Sequence, residues 1–453
     1  MRRTRSKQTN PLQWALLMVI TAALVILAIG GIRQLTGGNE VLAVSGKASQ
    51  EIIIEGGRPP LTMLGPRMRP LTVMALAQQP PTPEPIATTE PTPAATPTLA
   101  ATPTAFVEPT PVPTVALPTP TVAPLVTTLH QSPQPAVQLT GLSHQWQTWN
   151  NCGPATLSTN LSYYGSTLDQ ADIGNVLRRY PEDKNVSPEE LVSFAQSQGY
   201  MAQLRVNGSA ELARTFLSNG IPLLIETWLE EHPNDGMGHY RLLVGYDDAT
   251  ARWIVYDSYA STDLVSADPA NYQGIYMSYE QTEDWWKVFN RTYVLVYPPD
   301  RDPLVRSILG AAYEPDVMWQ EALAKAQAEI AANPSDSYAH FNLGTVLVKM
   351  GDYAGAAAAY DQARAIGLPW RMLWYQFGPF AAYTETGRYQ EVVDLGQATL
   401  TSAAGGIEEI HYWQGRALAG LGNTASAQAE WNQALALNPD FAPAKQALEG
   451  TPY

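Results

Sequence analysis

Gln145-Trp146-Gln147-Thr148-Trp149-Asn150-Asn151-Cys152-Gly153-Pro154-Ala155-Thr156-Leu157 contains the one cysteine of a 453-residue chain. The stretch from Cys152 to Tyr164 reads as a helix, with Leu157 and Leu161 four apart on one face. Cys152 therefore stands at a helix N-terminus, where the macrodipole and unpaired N–H groups favour a thiolate. Gly153 leaves room for a backbone to approach. Pro154 fits the first turn, where its missing N–H costs nothing. A structural cysteine belongs on an apolar stripe inside an element, whereas this one sits at a turn among polar residues. The pattern is that of a nucleophile.

A thiol nucleophile needs a base, normally histidine, and a third group to orient that base. Of the six histidines, His130 lies by a proline-rich stretch, and His340 and His411 fall in a helical C-terminal region. His144 stands eight residues before the cysteine, and His232 lies in the acidic loop Glu230-Glu231-His232-Pro233-Asn234-Asp235. His239 opens the strand pattern Tyr240-Arg241-Leu242-Leu243-Val244-Gly245-Tyr246. Asp247 to Ala251 reads as a turn, so an antiparallel hairpin centred at 248 sets Asp257 opposite His239. Asp257 is then placed to accept the second ring N–H. A one-residue slip would turn it to the other face.

Helices are expected around Cys152–Tyr164, from Ser187 onward with Ser as cap and Pro188 in the first turn, and over Ser209–Asn219. Strands are expected over Ile221–Trp228, Tyr240–Tyr246, Trp253–Tyr256 and Tyr293–Tyr297. Helices first and strands later in one unit indicate an α+β domain, assigned to 137–300. The motifs 147–155, Gly238-His239-Tyr240-Arg241-Leu242-Leu243-Val244-Gly245-Tyr246-Asp247 and Val255-Tyr256-Asp257-Ser258-Tyr259 together resemble papain-like cysteine peptidases. More closely, they resemble the bacteriocin-processing, double-glycine peptidase-like family. The resemblance covers about a third of the chain, roughly Leu139 to Pro298. It implies a papain-like α+β fold with Cys152 as nucleophile, His239 as base and Asp257 as orienting acid. It also implies a glutamine upstream of the cysteine as oxyanion donor. Papain-like enzymes usually place it six residues before; Gln147 is five before and is assigned the role, while Gln145, seven before, is the alternative. No Gly-x-x-x-x-Gly-Lys-Ser/Thr motif is present, so the chain is no peptide-exporting ATPase.

Outside this domain the composition changes. Leu12 to Ile32 is 21 uncharged residues behind Arg2, Arg3, Arg5 and Lys7. That length spans a hydrocarbon core of ~30 Å, and the basic start keeps the N-terminus cytoplasmic. The best cleavage pattern, Ala75-Leu76-Ala77, is too distant for a signal peptide. Residues 1–11 are read as a cytoplasmic tail, 12–32 as a transmembrane anchor, and 33–79 receive no assignment. Pro80 to Pro124 holds 14 Pro and 12 Thr without Gly, Lys or Arg. It reads as a disordered, polyproline-like spacer within a linker of residues 80–136.

Beyond a connector at 301–317, the region 318–453 is alanine-rich and helical. Asn333-Pro334 recurs 105 residues later as Asn438-Pro439, three steps of 35. Gly351, Gly387 and Gly422 recur at steps of 36 and 35. The period and the residues Leu343-Gly344, Ala356, Tyr360, Ala363, Gly415, Ala427, Trp431 and Ala434 fit an all-α array of tetratricopeptide repeats. Phe380 replaces the small residue in the middle copy. Trp370, Trp374, Tyr375, Phe377, Phe380 and Tyr383 cluster there, either as interface anchors or as filling of a degenerate repeat core.

Lys+Arg 27 against Asp+Glu 42 gives a net charge of −15, which disfavours nucleic acid as a partner. A lone cysteine excludes an intramolecular disulfide and a cysteine-cluster metal site, and no metal or cofactor is expected. These readings converge on a membrane-anchored, extracytoplasmic thiol hydrolase of peptide or amide bonds, with a protein partner on the repeats. A non-catalytic interaction scaffold and an acyl or amide transferase on the same fold are the alternatives.

Overall fold

Met237–Asp247 forms an eleven-residue strand, β4, buried from His239 through Tyr246. A strand with apolar side chains on both faces needs cover on both. The computed structural model supplies that cover and describes residues 129–268 and 271–450. The expected anchor at 12–32, the segment 33–79 and most of the 80–136 linker lie outside the described residues. Among the described residues, no helix is long and apolar enough to cross a membrane.

The strands are β1 (Ala136–Gln138), β2 (Met201–Arg205), β3 (Leu223–Leu229), β4, β5 (Arg252–Asp257), β6 (Ile275–Ser278) and β7 (Tyr293–Tyr297). They form an antiparallel sheet in the order β2-β7-β3-β4-β5-β6, with β1 paired to the far end of β4. On one face, Leu224, Leu242, Val244, Tyr256 and Val294 pack against Leu157, Leu161, Leu191 and Phe194. These come from helices α1 (Cys152–Tyr163) and α3 (Pro188–Ser197), with α2 (Gln170–Leu177) between them in the chain. On the other face, Ile225, Leu243, Val255 and Leu295 pack against Phe216, Trp286 and Val305. Those belong to α4 (Ala210–Ser218), α5 (Tyr279–Lys287) and α6 (Asp302–Leu309). The segment 301–317, expected as a connector, is thus partly a helix of this core, and the first array helix starts within it at Pro315.

The β4–β5 register differs from expectation. Asp257 pairs with Arg241, not His239, and a bulge between Leu243 and Gly245 takes up one residue. The displacement at Asp257 is two residues along β4, an even step, so His239 and Asp257 stay on one face. Gly245 is required where it stands, because a Cβ there would lie 2.4 Å from the Val137 carbonyl of β1.

The C-terminal region is all helical: α7 (Pro315–Ala332), α8 (Ser337–Lys349), α9 (Tyr353–Ile366), α10 (Gly378–Glu385), α11 (Tyr389–Ala403), α12 (Glu408–Gly420), α13 (Thr424–Leu437) and α14 (Ala442–Glu449). A Cβ on Gly344 would come 2.7 Å from Tyr360, and one on Gly415 2.3 Å from Trp431. Small residues therefore let the paired helices close on those rings. The middle copy departs from this, with Phe380 fully buried in a shortened α10 and the irregular segment 367–377 before it.

That segment is a docking element. Arg371 donates to the carbonyls of Asp235 (3.3 Å) and Gly236 (3.2 Å) and pairs with the Asp235 carboxylate at 2.7 Å. Trp370 Nε1 donates to the Asn234 carbonyl at 3.2 Å, and Gln376 Nε2 to that of Val288 at 3.0 Å. Elsewhere Lys287 pairs with Asp336, and Arg291 with Glu329 at 2.5 Å. Of the middle-copy aromatics, Phe380 and Tyr383 fill the repeat core, while Trp370 and Tyr375 contact the α+β domain. Arg371→Ala should free the loop before β4. Losing charge-assisted bonds of ~1.5–3 kcal/mol should speed amide hydrogen exchange over 234–238 by about tenfold or more, with the β7 amides unchanged as the control.

Candidate active site

Asn151 precedes α1 without a side-chain capping bond, so the first amides of the helix are not consumed by a cap. Its Nδ2 instead donates to the Gln170 side chain at 2.9 Å. The turn before it is tight, with Asn150 at φ 53°. Cys152 is part-buried at the head of the helix, and the residues Gly153 to Leu161 behind it are buried. Gly153 lies against the Tyr240 ring, 3.3 Å from a Cβ placed there, which seats α1 on β4 one residue past His239.

Burial alone would push the Cys152 thiol up, but the hydrogen bond and charge of His239 and the backbone at Tyr240 and Gly153 hold it below its ordinary value. Burial likewise disfavours an imidazolium at His239, yet the Asp257 carboxylate and the bond to Cys152 raise its pKa. These are the two shifts that a thiolate–imidazolium pair requires. His239 Nε2 meets Asp257 Oδ1 at 2.9 Å, which leaves Nδ1 for the thiol.

Asp257 is fully buried and held on every side. Oδ1 accepts from the backbone of Tyr259 and Ala260, each at 2.8 Å, besides His239. Oδ2 accepts from Arg241 Nε at 2.8 Å. Burial opposes its charge, but His239 and Arg241 keep the carboxyl far below the usual carboxylate range. Arg241 also donates to Thr227 Oγ1 and to the Trp228 carbonyl, the latter at 3.1 Å, and lies over the Trp285 ring.

Gln147 Oε1 accepts from Ser258 Oγ at 2.8 Å, and its backbone N–H donates to the Ser258 carbonyl at 2.8 Å. Ser258 follows Asp257, so this joins the pre-helix segment to the end of β5. The Gln147 NH₂ remains as the amide's donor. Gln145 is differently placed: Nε2 donates to Ser158 Oγ at 2.9 Å and Oε1 accepts from Gln170 N at 3.0 Å. Both ends of that amide are used in packing. His144 Nε2 meets the Asp257 backbone carbonyl at 2.8 Å and stacks on Tyr272 at 3.7 Å, so it braces the acid rather than the thiol. His130, His340 and His411 bond to Ser307, the Pro334 carbonyl and Glu430.

Arg241 escaped the sequence reading. Its signal was present, since it stands two residues past His239 and shares its face, but the expected register put Asp257 opposite the histidine. Tyr375 was read only as a repeat aromatic. It lies 3.0 Å from a Cβ placed at Gly238, and its hydroxyl meets the Gly238 backbone one residue before His239. Among the described residues, no group of His, Cys, Asp and Glu is arranged to hold a metal ion.

Residues 133–289 match the Peptidase_C39 like family, and residues 319–367 and 408–441 match tetratricopeptide repeats. The chain carries a C39-like peptidase domain followed by tetratricopeptide repeats. Among solved structures, a protein described as a C39-like peptidase from Bacillus anthracis is 16% identical, with 36% of this chain and 96% of that one covered at a TM-score of 0.28. The peptidase domain of Streptococcus ComA is 17% identical, with 35% and 99% covered and a TM-score of 0.26. For the array, MamA from Desulfovibrio magneticus is 20% identical, with 29% and 72% covered and a TM-score of 0.26. No curated protein matches the chain.

The electrostatics of the C39-like domain give a testable sign. The folded His239 pKa is raised, so its proton is retained above the ordinary imidazole range and lost as pH rises through the folded value. Asp257→Asn removes the carboxylate that raises it, and the His239 midpoint should move down. An NMR titration of ¹³C-labelled histidine in the native chain and in Asp257→Asn checks this.

Proposed function

We propose that the chain is a membrane-anchored, extracytoplasmic cysteine peptidase whose repeat array presents peptide or protein substrates to a Cys152–His239–Asp257 triad. The observation that carries the reading is the unbroken hydrogen-bonded line from the thiol through His239 to a buried carboxylate, set at a helix N-terminus. A purely structural domain has no need of a buried imidazole between a thiol and a charged acid. The anchoring rests on the 21 uncharged residues behind a basic start.

In this reading His239 takes the Cys152 proton, and the thiolate attacks the scissile carbonyl. The developing oxyanion lies at the uncapped start of α1 and accepts from the Gln147 amide. His239 then protonates the leaving amine as the C–N bond breaks, giving a thioester on Cys152. Water, deprotonated by His239, hydrolyses the thioester and restores the thiol. Asp257 stays ionised throughout and holds the ring with Nδ1 toward sulfur. Arg241 keeps Asp257 in place without touching the substrate. Gln147 is favoured over Gln145 as oxyanion donor, because both ends of the Gln145 amide are already bonded.

Turnover of a peptide library by the purified full chain tests these roles. Cys152→Ala should abolish cleavage, and His239→Ala should be nearly as severe, because the two act as a unit. Gln147→Ala should lower kcat by ~10²–10³. Gln145→Ala should act on stability instead. Cleavage that survives Cys152→Ala would end the proposal, and a kcat loss confined to Gln145→Ala would displace the oxyanion donor by two residues.

A further inference from the structure

Along β3, the side chains of Leu224, Glu226 and Trp228 share the face of the sheet that carries α1. Leu224 lies in the core beneath α1 and Trp228 in the core of the array, so Glu226 stands at the seam between them. Its cross-strand neighbour is Tyr240, whose ring seats Gly153. Cys152 and Glu189 act on its charge, and Glu226 acts on those of Tyr240 and Tyr375. It is therefore near enough to the thiol, the start of α3, β4 and the array loop to share their electrostatics. It retains only 6% exposure.

A carboxyl so placed should have a partner. Among the described residues, Glu226 has neither a side-chain hydrogen bond nor an ion pair; burial first, then the negative charges of Glu189 and Cys152, push its pKa well above the ordinary carboxylate range, so a cation bound there would have to ionise it. The nearby cations are committed elsewhere. Arg241 is bound to Asp257, Thr227 and Trp228 on the opposite face, and Arg371 to Asp235 and Gly236. Glu189, at the start of α3, is exposed. Within the triad mechanism Glu226 has no task.

We propose that Glu226 is the floor of a specificity pocket for a positively charged substrate side chain, arginine or lysine, next to the scissile bond. The inference rests on the peptidase reading for its substrate, but the pocket itself is a matter of residue placement. A bound guanidinium or ammonium supplies the donors and the charge that Glu226 lacks, and Glu189 draws it in. Tyr240 and Tyr375 offer ring faces to its aliphatic stem. Because Tyr375 comes from the array, the pocket is complete only when the array is docked. The array then shapes selectivity directly as well as holding partners at a distance.

Peptidyl chloromethyl ketones test the pocket through the rate of Cys152 alkylation in the full chain, without requiring turnover. The probes carry arginine, citrulline, norleucine or glutamate at the first or second position before the electrophile. Arginine should label faster than its neutral isostere citrulline by about 10²-fold or more, and glutamate should be slowest. In Glu226→Gln the arginine-to-citrulline ratio should collapse toward one. Equal rates for arginine and citrulline in the wild-type chain overturn the pocket, as does a preference that survives Glu226→Gln. If no peptidyl probe labels Cys152, the peptidase reading fails instead. The pocket is then judged by calorimetric titration of the full chain with argininamide: binding lost in Glu226→Gln supports it, and no binding overturns it.

Discussion

Asp257 sits fully buried between His239 on one carboxylate oxygen and Arg241 on the other, with two backbone amides closing the first oxygen's shell. Taking a carboxylate out of water costs several kcal/mol even after relaxation. Only a complete set of donors offsets that cost. The set draws on β4, β5 and the turn after β5, so the strand register, the bulge near Val244 and the brace from His144 and Tyr272 all serve one charge. With that charge fixed, the His239 ring has one orientation and the thiol one partner. The geometry at Cys152 follows from a feature that does not touch it.

The array is tied to the same place. Its irregular segment 367–377 grips the loop that leads into His239, and Tyr375 reaches the backbone of Gly238. A repeat array held on a flexible tether would leave the thiol site indifferent to its presence. Here the loop before β4 has its carbonyls satisfied by Arg371, so the start of the histidine strand is anchored from outside its own domain. The degenerate middle repeat is the part that makes this contact. Its shortened α10 and long preceding segment trade regular repeat packing for a surface complementary to the α+β domain.

Much of this was legible in the residues. The turn-helix chemistry around Cys152, the strand patterns and the 35-residue recurrence depend on local composition and period, which survive folding unchanged. The cap at Ser187 forms as read, with a full capping box at Glu190, while Ser209, read as the first residue of a helix, is its cap. The pairing of His239 with Asp257 was reached through the wrong register, and it held because the displacement was even. A bulge such as that at Val244 leaves no strong local mark, since Gly245 alone does not say which strand yields a residue. Arg241 went unread for that reason. Strands β2 and β6 and helices α2 and α5 were not anticipated, being short elements whose burial is set by neighbours far along the chain. The docking of Trp370, Arg371 and Tyr375 was out of reach for the same reason, because composition cannot tell a repeat's own core from the face it turns to another domain.

The central claim is that His239 lowers the pKa of the Cys152 thiol. Because the chain has a single cysteine, the ultraviolet absorbance of the thiolate, taken as the difference between the native chain and Cys152→Ala, reports this one group across a pH titration. The account expects the thiolate to appear below the ordinary thiol range and to move up in His239→Ala. A native thiol that ionises only in the ordinary range, with the same midpoint in His239→Ala, would contradict it.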